Sequence, residues 1–150
     1  MDAAASVVSL IQFTITGLIV IRQTFSSIRE GPEVVTDTVK NVYHLLHILK
    51  RLESSHAVKE SQDEVLSDVL KSCHADVTRM AQKLEKLDFK ASDKMGFKLW
   101  RSVKSALKEK ELMDFRVKMH RYSSSLATFI TIEDRSVSIF AALSCIQSNR

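Results

Sequence analysis

Turn-forming residues are scarce in this chain: its 150 residues include three Gly and one Pro, standing at Gly17, Gly31, Gly96 and Pro32. Most of the chain must therefore lie inside long regular elements. Three isolated glycines build neither a Gly-x-x-x-x-Gly-Lys phosphate loop nor a Gly-x-Gly-x-x-Gly turn, so nucleotide binding by this chain alone is not expected. Two cysteines, Cys73 and Cys145, are far apart and each falls within an apolar helical pattern, which makes no disulfide framework. They read as reduced, buried thiols of a cytoplasmic protein. The formal charge of +4 is too small to argue for nucleic acid, and neither an aromatic array nor a recognition helix is present.

Charge is missing altogether from Ala3 to Ile21. That length suits either a bilayer-spanning helix or the central helix of a bundle. Ser6, Ser9, Gln12 and Thr16, continuing into Gln23, Ser27 and Glu30, recur every three or four residues and form one narrow polar stripe. Val7, Val8, Leu10, Ile11, Ile15, Leu18, Ile21, Phe25 and Ile28 cover most of the remainder. A helix with one thin polar strip is what a bundle buries in its middle. No Lys or Arg cluster flanks the segment as a resident span requires, and the basic n-region of a signal peptide is missing.

The remaining periodicity is helical throughout, with no strand signal. Glu30-Gly31-Pro32 ends the first helix and opens a second, whose seam is Val35, Val39, Val42, Leu46, Leu49 and Leu52. Ser61 with Glu64 reads as a capping box for a third helix, with Leu66, Leu70, Cys73, Val77, Met80, Leu84 and Leu87 in unbroken heptad spacing. A fourth pattern runs from Lys94 through Leu99, Trp100, Val103 and Leu107. It breaks near Lys108 to Glu111 and restarts at Leu112, Phe115, Met119, Tyr122, Leu126 and Phe129. Asp134 is placed to cap a last helix carrying Val137, Phe140, Leu143 and Ile146. The expected architecture is all-α: a single domain over residues 1–150, an up-and-down bundle of four to six helices with the hydrophobic first helix central. Leu10, Ile11, Leu18, Leu49, Leu70, Val77, Met119 and Leu126 are expected in its core.

Catalytic and metal chemistry find little support. His44 and His47 lie one turn apart and His74 follows Cys73, yet no second Cys/His pair completes a metal site. Asp63, Glu64 and Asp68 are explained by the positive end of a helix dipole. Ser123, Ser124 and Ser125 stand beside His120 without a carboxylate partner. No enzyme, cofactor or small-molecule substrate is expected. The one pronounced charge pattern is basic: Lys94, Lys98, Arg101, Lys104 and Lys108, with no acid among them, fall on one helical face beside Trp100. Such a face is either simply solvated or a contact for an anionic membrane, where each cation contributes about 1 kcal/mol and Trp favours the interface.

Several segments together resemble the helical N-terminal domain of fungal NLR-like (STAND) and ankyrin-repeat receptors, the group that includes HeLo-like cell-death domains. They are Ala4-Ala5-Ser6-Val7-Val8-Ser9-Leu10-Ile11-Gln12, Gly31-Pro32-Glu33-Val34, Leu70-Lys71-Ser72-Cys73, Leu99-Trp100 through Leu107-Lys108, and Arg121-Tyr122-Ser123-Ser124-Ser125-Leu126. The resemblance implies a cytoplasmic helical bundle that conveys an oligomerisation signal or executes cell death at a membrane. In the membrane version the first helix inserts through Val7, Val8, Leu10, Ile11, Phe13, Ile15, Leu18, Ile19, Val20 and Ile21. In the other version the domain is an adaptor that associates with itself or another helical protein and never meets lipid.

Overall fold

The computed structural model describes residues 3–28, 32–55, 64–86, 100–101, 103–105 and 107–148, with side chains described outside 3–6, 132–138, 140, 141 and 148. Four long helices carry the fold: α1 (Ala3–Ser26), α2 (Glu33–Ser54), α3 (Glu64–Glu85) and α4 (Glu109–Ser148). Trp100, Arg101 and residues 103–105 are also helical, and no strand occurs among the described residues. The fold is an all-α bundle.

Each helix buries the seam that its spacing marks. In α1 the buried residues are Val7, Ile11, Thr14, Leu18, Ile21 and Phe25, alternating steps of four and three. In α3 they are Leu66, Leu70, Cys73, Val77, Met80 and Leu84, as expected, while Leu87 and the Ser61 cap lie outside the described residues. The α2 seam is wider, because Leu45 and Ile48 join Val42, Leu46, Leu49 and Leu52, whereas Val39 is half-buried. Of the eight residues expected in the core, seven are buried and Leu10 is half-buried against it.

Chain direction alternates, but sequence neighbours are not all spatial neighbours. The main packing partners are α1 with α2 and α3, and α4 with α2 and α3, so α1 stands diagonally across the bundle from α4. Gly17 meets Val77 and Ala81, and Phe13 meets His74, so α1 and α3 run parallel. Asp37 pairs with Arg116, making α2 and α4 parallel as well. Asp76 with Lys118, and Lys83 with Glu111, make α3 and α4 antiparallel.

Among the described helices, α1 packs its buried seam against both α2 and α3. Ser9, Gln12, Thr16, Gln23 and Ser27 face outward as the polar stripe requires, but Phe13 and Ile19 lie exposed beside them. Two expectations change. Pro32 precedes the first turn of α2 as its N-cap residue, with φ −63° and ψ 160°, and gives no side-chain cap; the Val35 N–H donates to its carbonyl at 2.9 Å. No new helix begins at Asp134, because α4 runs unbroken for 40 residues, about 60 Å. Without Gly or Pro after Lys108, nothing in the sequence stops it, and an Asp inside a helix costs only about 0.7 kcal/mol. The break expected near Lys108 is present: the chain bends at Leu107 and α4 starts at Glu109.

Candidate functional site

The outward side of α1 is the surface with the most distinctive chemistry. Among the ten insertion candidates, Val7, Ile11, Leu18 and Ile21 are buried, and Val8, Leu10, Ile15 and Val20 are half-buried. Phe13 and Ile19 face solvent, at 65% and 37% exposure. Thr14, Thr16 and Thr24 donate their hydroxyls to the carbonyls of Leu10, Gln12 and Val20, so each satisfies itself within its own helix. Arg22 is the one charge on α1, and its guanidinium lies 4.7 Å over the Tyr43 ring. Among the described residues α1 is the one helix long and apolar enough to cross a membrane.

Gly17 determines how α1 is held, and the spacing of apolar residues gave no sign of it. A Cβ at this position would stand 2.7 Å from Cγ1 of Val77, whose side chain is fully buried. Only glycine lets the two helices approach this closely. The α1/α3 contact is therefore a backbone-to-side-chain lock, sensitive to a single added carbon.

The basic stripe is described in part. Arg101, Lys104 and Lys108 are exposed, while Lys94 and Lys98 lie outside the described residues. Trp100 is half-buried against the core beside buried Val103 and Leu107, and these residues with Pro32, Lys104 and Leu112 line a hollow of about 370 Å³. Part of the indole is thus committed to the bundle.

Between α3 and α4 lies a polar cluster that local spacing could not reveal, because its members are 28 to 46 residues apart. The Tyr122 hydroxyl donates to the Asp76 carboxylate, which also pairs with Arg79 at 3.7 Å and Lys118 at 3.6 Å. Lys83 meets Glu111 at 2.6 Å across the same hollow of about 210 Å³. Partial burial, then its bond to Asp76, pushes the Tyr122 phenol above its ordinary range. Lys83, chiefly through its hydrogen bond, holds the Glu111 carboxyl below its usual value. Asp76, Glu111 and Asp114 balance Arg79, Lys83 and Lys118, so this hollow offers no field of one sign to a ligand.

The other candidates for chemistry do not converge. Cys73 is buried and its thiol is pushed up to about 12, first by burial and then by Asp76, which leaves it inert. Cys145 was expected to be buried but is exposed, standing on the distal part of α4 where every described side chain from Ile139 onward is exposed. His44 and His47 are exposed on α2, and no group of three metal-binding side chains occurs among the described residues. Ser123 is enclosed with its hydroxyl unpartnered, whereas His120 and Ser124 face outward.

One family model matches the chain over residues 1–139, described as pigment biosynthesis cluster protein PigL N-terminal. The chain belongs to this family. It is thus a helical domain of a fungal N-terminal family, a coarser statement than the receptor and cell-death resemblance read from the sequence. No curated protein and no solved structure matches the chain.

Proposed function

We propose that this chain is a non-enzymatic helical signalling domain of the fungal innate-immunity or programmed-cell-death type, whose first helix rests in the bundle and enters a membrane on activation. The observation that carries the reading is the construction of α1. It is 24 residues long, about 36 Å, with Arg22 as its single charge. Its threonine hydroxyls are satisfied inside the helix, so their hydrogen bonds travel with it into hydrocarbon. Its outer side already meets solvent, so release requires it to part from α2 and α3 alone. On this reading the resting protein is cytoplasmic and carries no cofactor. Lys94, Lys98, Arg101, Lys104 and Lys108 meet anionic headgroups once it is recruited.

Ser9 and Thr16 supply the test because both are exposed in the bundle. Ser9→Lys or Thr16→Lys leaves the resting fold intact, whereas a Lys near the middle of a bilayer costs about 2.5–3.5 kcal/mol. Both variants should be folded and non-toxic on overexpression under conditions where the parent is toxic. Toxicity equal to the parent's would sink the reading.

A second reading, a helical adaptor that acts by protein association, is favoured by a different observation. Ile139, Leu143 and Ile146 stand on the distal part of α4 at 61%, 55% and 57% exposure.

A further inference from the structure

α1 is attached to the bundle differently from the other three helices. Asp37 pairs with Arg116 at 3.4 Å, Lys83 with Glu111 at 2.6 Å and Lys118 with Asp76 at 3.6 Å, and Tyr122 donates to Asp76. α2 and α3 are thus each tied to α4 by polar side chains. Among the described residues, no hydrogen bond or ion pair joins an α1 side chain to another helix; its threonines and Ser27 bond within α1 or its last turn. The ring contacts of Phe13 with His74 and of Arg22 with Tyr43 involve exposed α1 residues. What seats α1 is apolar packing, which is non-directional except where shapes interlock.

The interlock is at Gly17. A Cβ there would lie 2.7 Å from Cγ1 of Val77 and 4.0 Å from Cβ of Ala81, against ordinary carbon contacts of about 3.5–4.0 Å. Val77 cannot turn aside, because it is fully buried and a β-branched side chain on a helix is held to one χ1 rotamer. An added methyl is therefore accommodated by moving the helices apart. That movement loosens the neighbouring contacts of Thr14, Leu18 and Ile21 together, since dispersion attraction falls steeply across a small gap. The same glycine weakens α1 as an isolated helix. Undocked in water, α1 loses its support and frays, so its helix and its seat are gained or lost together.

We infer that the seat of Gly17 on Val77 is a latch, which sets how readily α1 opens as one unit while α2, α3 and α4 stay folded. The inference deepens the membrane reading by naming what holds α1 at rest. Opening in solution is a property of the bundle without lipid, so the two can fail separately.

Native-state hydrogen exchange of the full chain in low urea, read separately for α1, α3 and the first half of α4, tests the latch. The proteins are the parent, Gly17→Ala and Gly17→Ala/Val77→Ala. Alanine is the better helix former, so faster exchange of α1 in Gly17→Ala reports the fit and not the helix. In the parent, α1 amides should exchange at least about tenfold faster than those of α4, with a weaker dependence on urea. Gly17→Ala should speed α1 exchange by a further factor of about ten and leave α4 within about twofold of the parent. Adding Val77→Ala should bring the ratio of α1 to α4 exchange back toward the parent's. Exchange of α1 that tracks α4 in rate and urea dependence would overturn the separate unit. Unchanged or slower α1 exchange in Gly17→Ala would overturn the latch, as would equal acceleration of every helix. Dye release from anionic vesicles with the same proteins separates the membrane reading. A loosened α1 with no release by the parent or by Gly17→Ala upholds the latch and sinks insertion.

Discussion

The part of α4 up to Ile130 and the part from Ile139 onward belong to one continuous helix, yet their described side chains meet opposite surroundings. Leu112, Phe115, Met119 and Leu126 are buried against α2 and α3, whereas Ile139, Leu143 and Ile146 stand in solvent. The difference shows what periodicity fixes: it marks the stripe that will be covered, but whether the cover comes from the same chain depends on where the neighbouring helices end. Buried seams here also carry interlocks, such as Gly17 against Val77 and Tyr122 on Asp76. α1 falls between the two halves of α4, with a locked inner seam and an outer side that bears Phe13 and Ile19.

The largest effect should separate the two halves of α4 directly. Leu126→Asp puts an isolated carboxylate into the core and should unfold the bundle, a loss of about 4 kcal/mol or more. Leu143→Asp, in the distal part of the same helix, should leave the main thermal transition in place. Equal damage from both would show that the distal half packs inside the monomer. Leu70→Asp and Val77→Asp on α3 should behave like Leu126→Asp.

The interlocks come next. Gly17→Leu should destabilise by about 2–3 kcal/mol through overpacking, and Val77→Ala in the same chain should restore part of it. Independent, additive losses in a double-mutant cycle would mean that the close approach is not what Gly17 provides. Tyr122→Phe removes the hydroxyl that donates to a mostly buried carboxylate and should cost about 1.5–2 kcal/mol in urea unfolding. No change would leave the α3/α4 cluster without a structural role.

The smallest effects lie in the pH dependence. Cys73 stays protonated in the folded chain to about 12 against 9.0 ordinarily, so the stability it contributes is fully present below 9.0 and is lost as pH rises from there toward 12. Tyr122, also raised, adds to the same alkaline decline from 10.0 upward. Cys73→Ala should flatten the decline that begins near 9.0, and an unchanged slope would contradict its burial. Glu111 acts in the opposite direction: its lowered value gives stability above 4.5 that is lost as the pH falls through the folded value. The effect is small because the Lys83–Glu111 pair is open to solvent.

Much of the fold was legible because each long helix shows its seam locally. The α3 pattern, the outward polar stripe of α1 and the break at Leu107 follow from spacing alone. The diagonal placement of α1 and α4 was not legible, since a heptad seam does not say which neighbour fills it. Asp134 misled for a related reason: a residue that favours N-caps also sits in a helix at small cost when the surrounding pattern continues. At the candidate site the apolar run of α1 was plain, but Gly17 and the Asp76 cluster depend on contacts between distant parts of the chain. Lys94 and Lys98, two of the five cations of the basic stripe, lie outside the described residues.

The role of α1 is tested most directly by dye release from anionic vesicles, comparing the parent with Thr16→Lys and, as a control on the outer end of α4, Leu143→Lys. If α1 is the element that leaves the bundle, the parent releases dye, Thr16→Lys is folded but silent, and Leu143→Lys still permeabilises when added in excess. Release by Thr16→Lys equal to the parent's would contradict the account, because a charge at that point of α1 cannot cross the bilayer centre without a cost of about 2.5–3.5 kcal/mol.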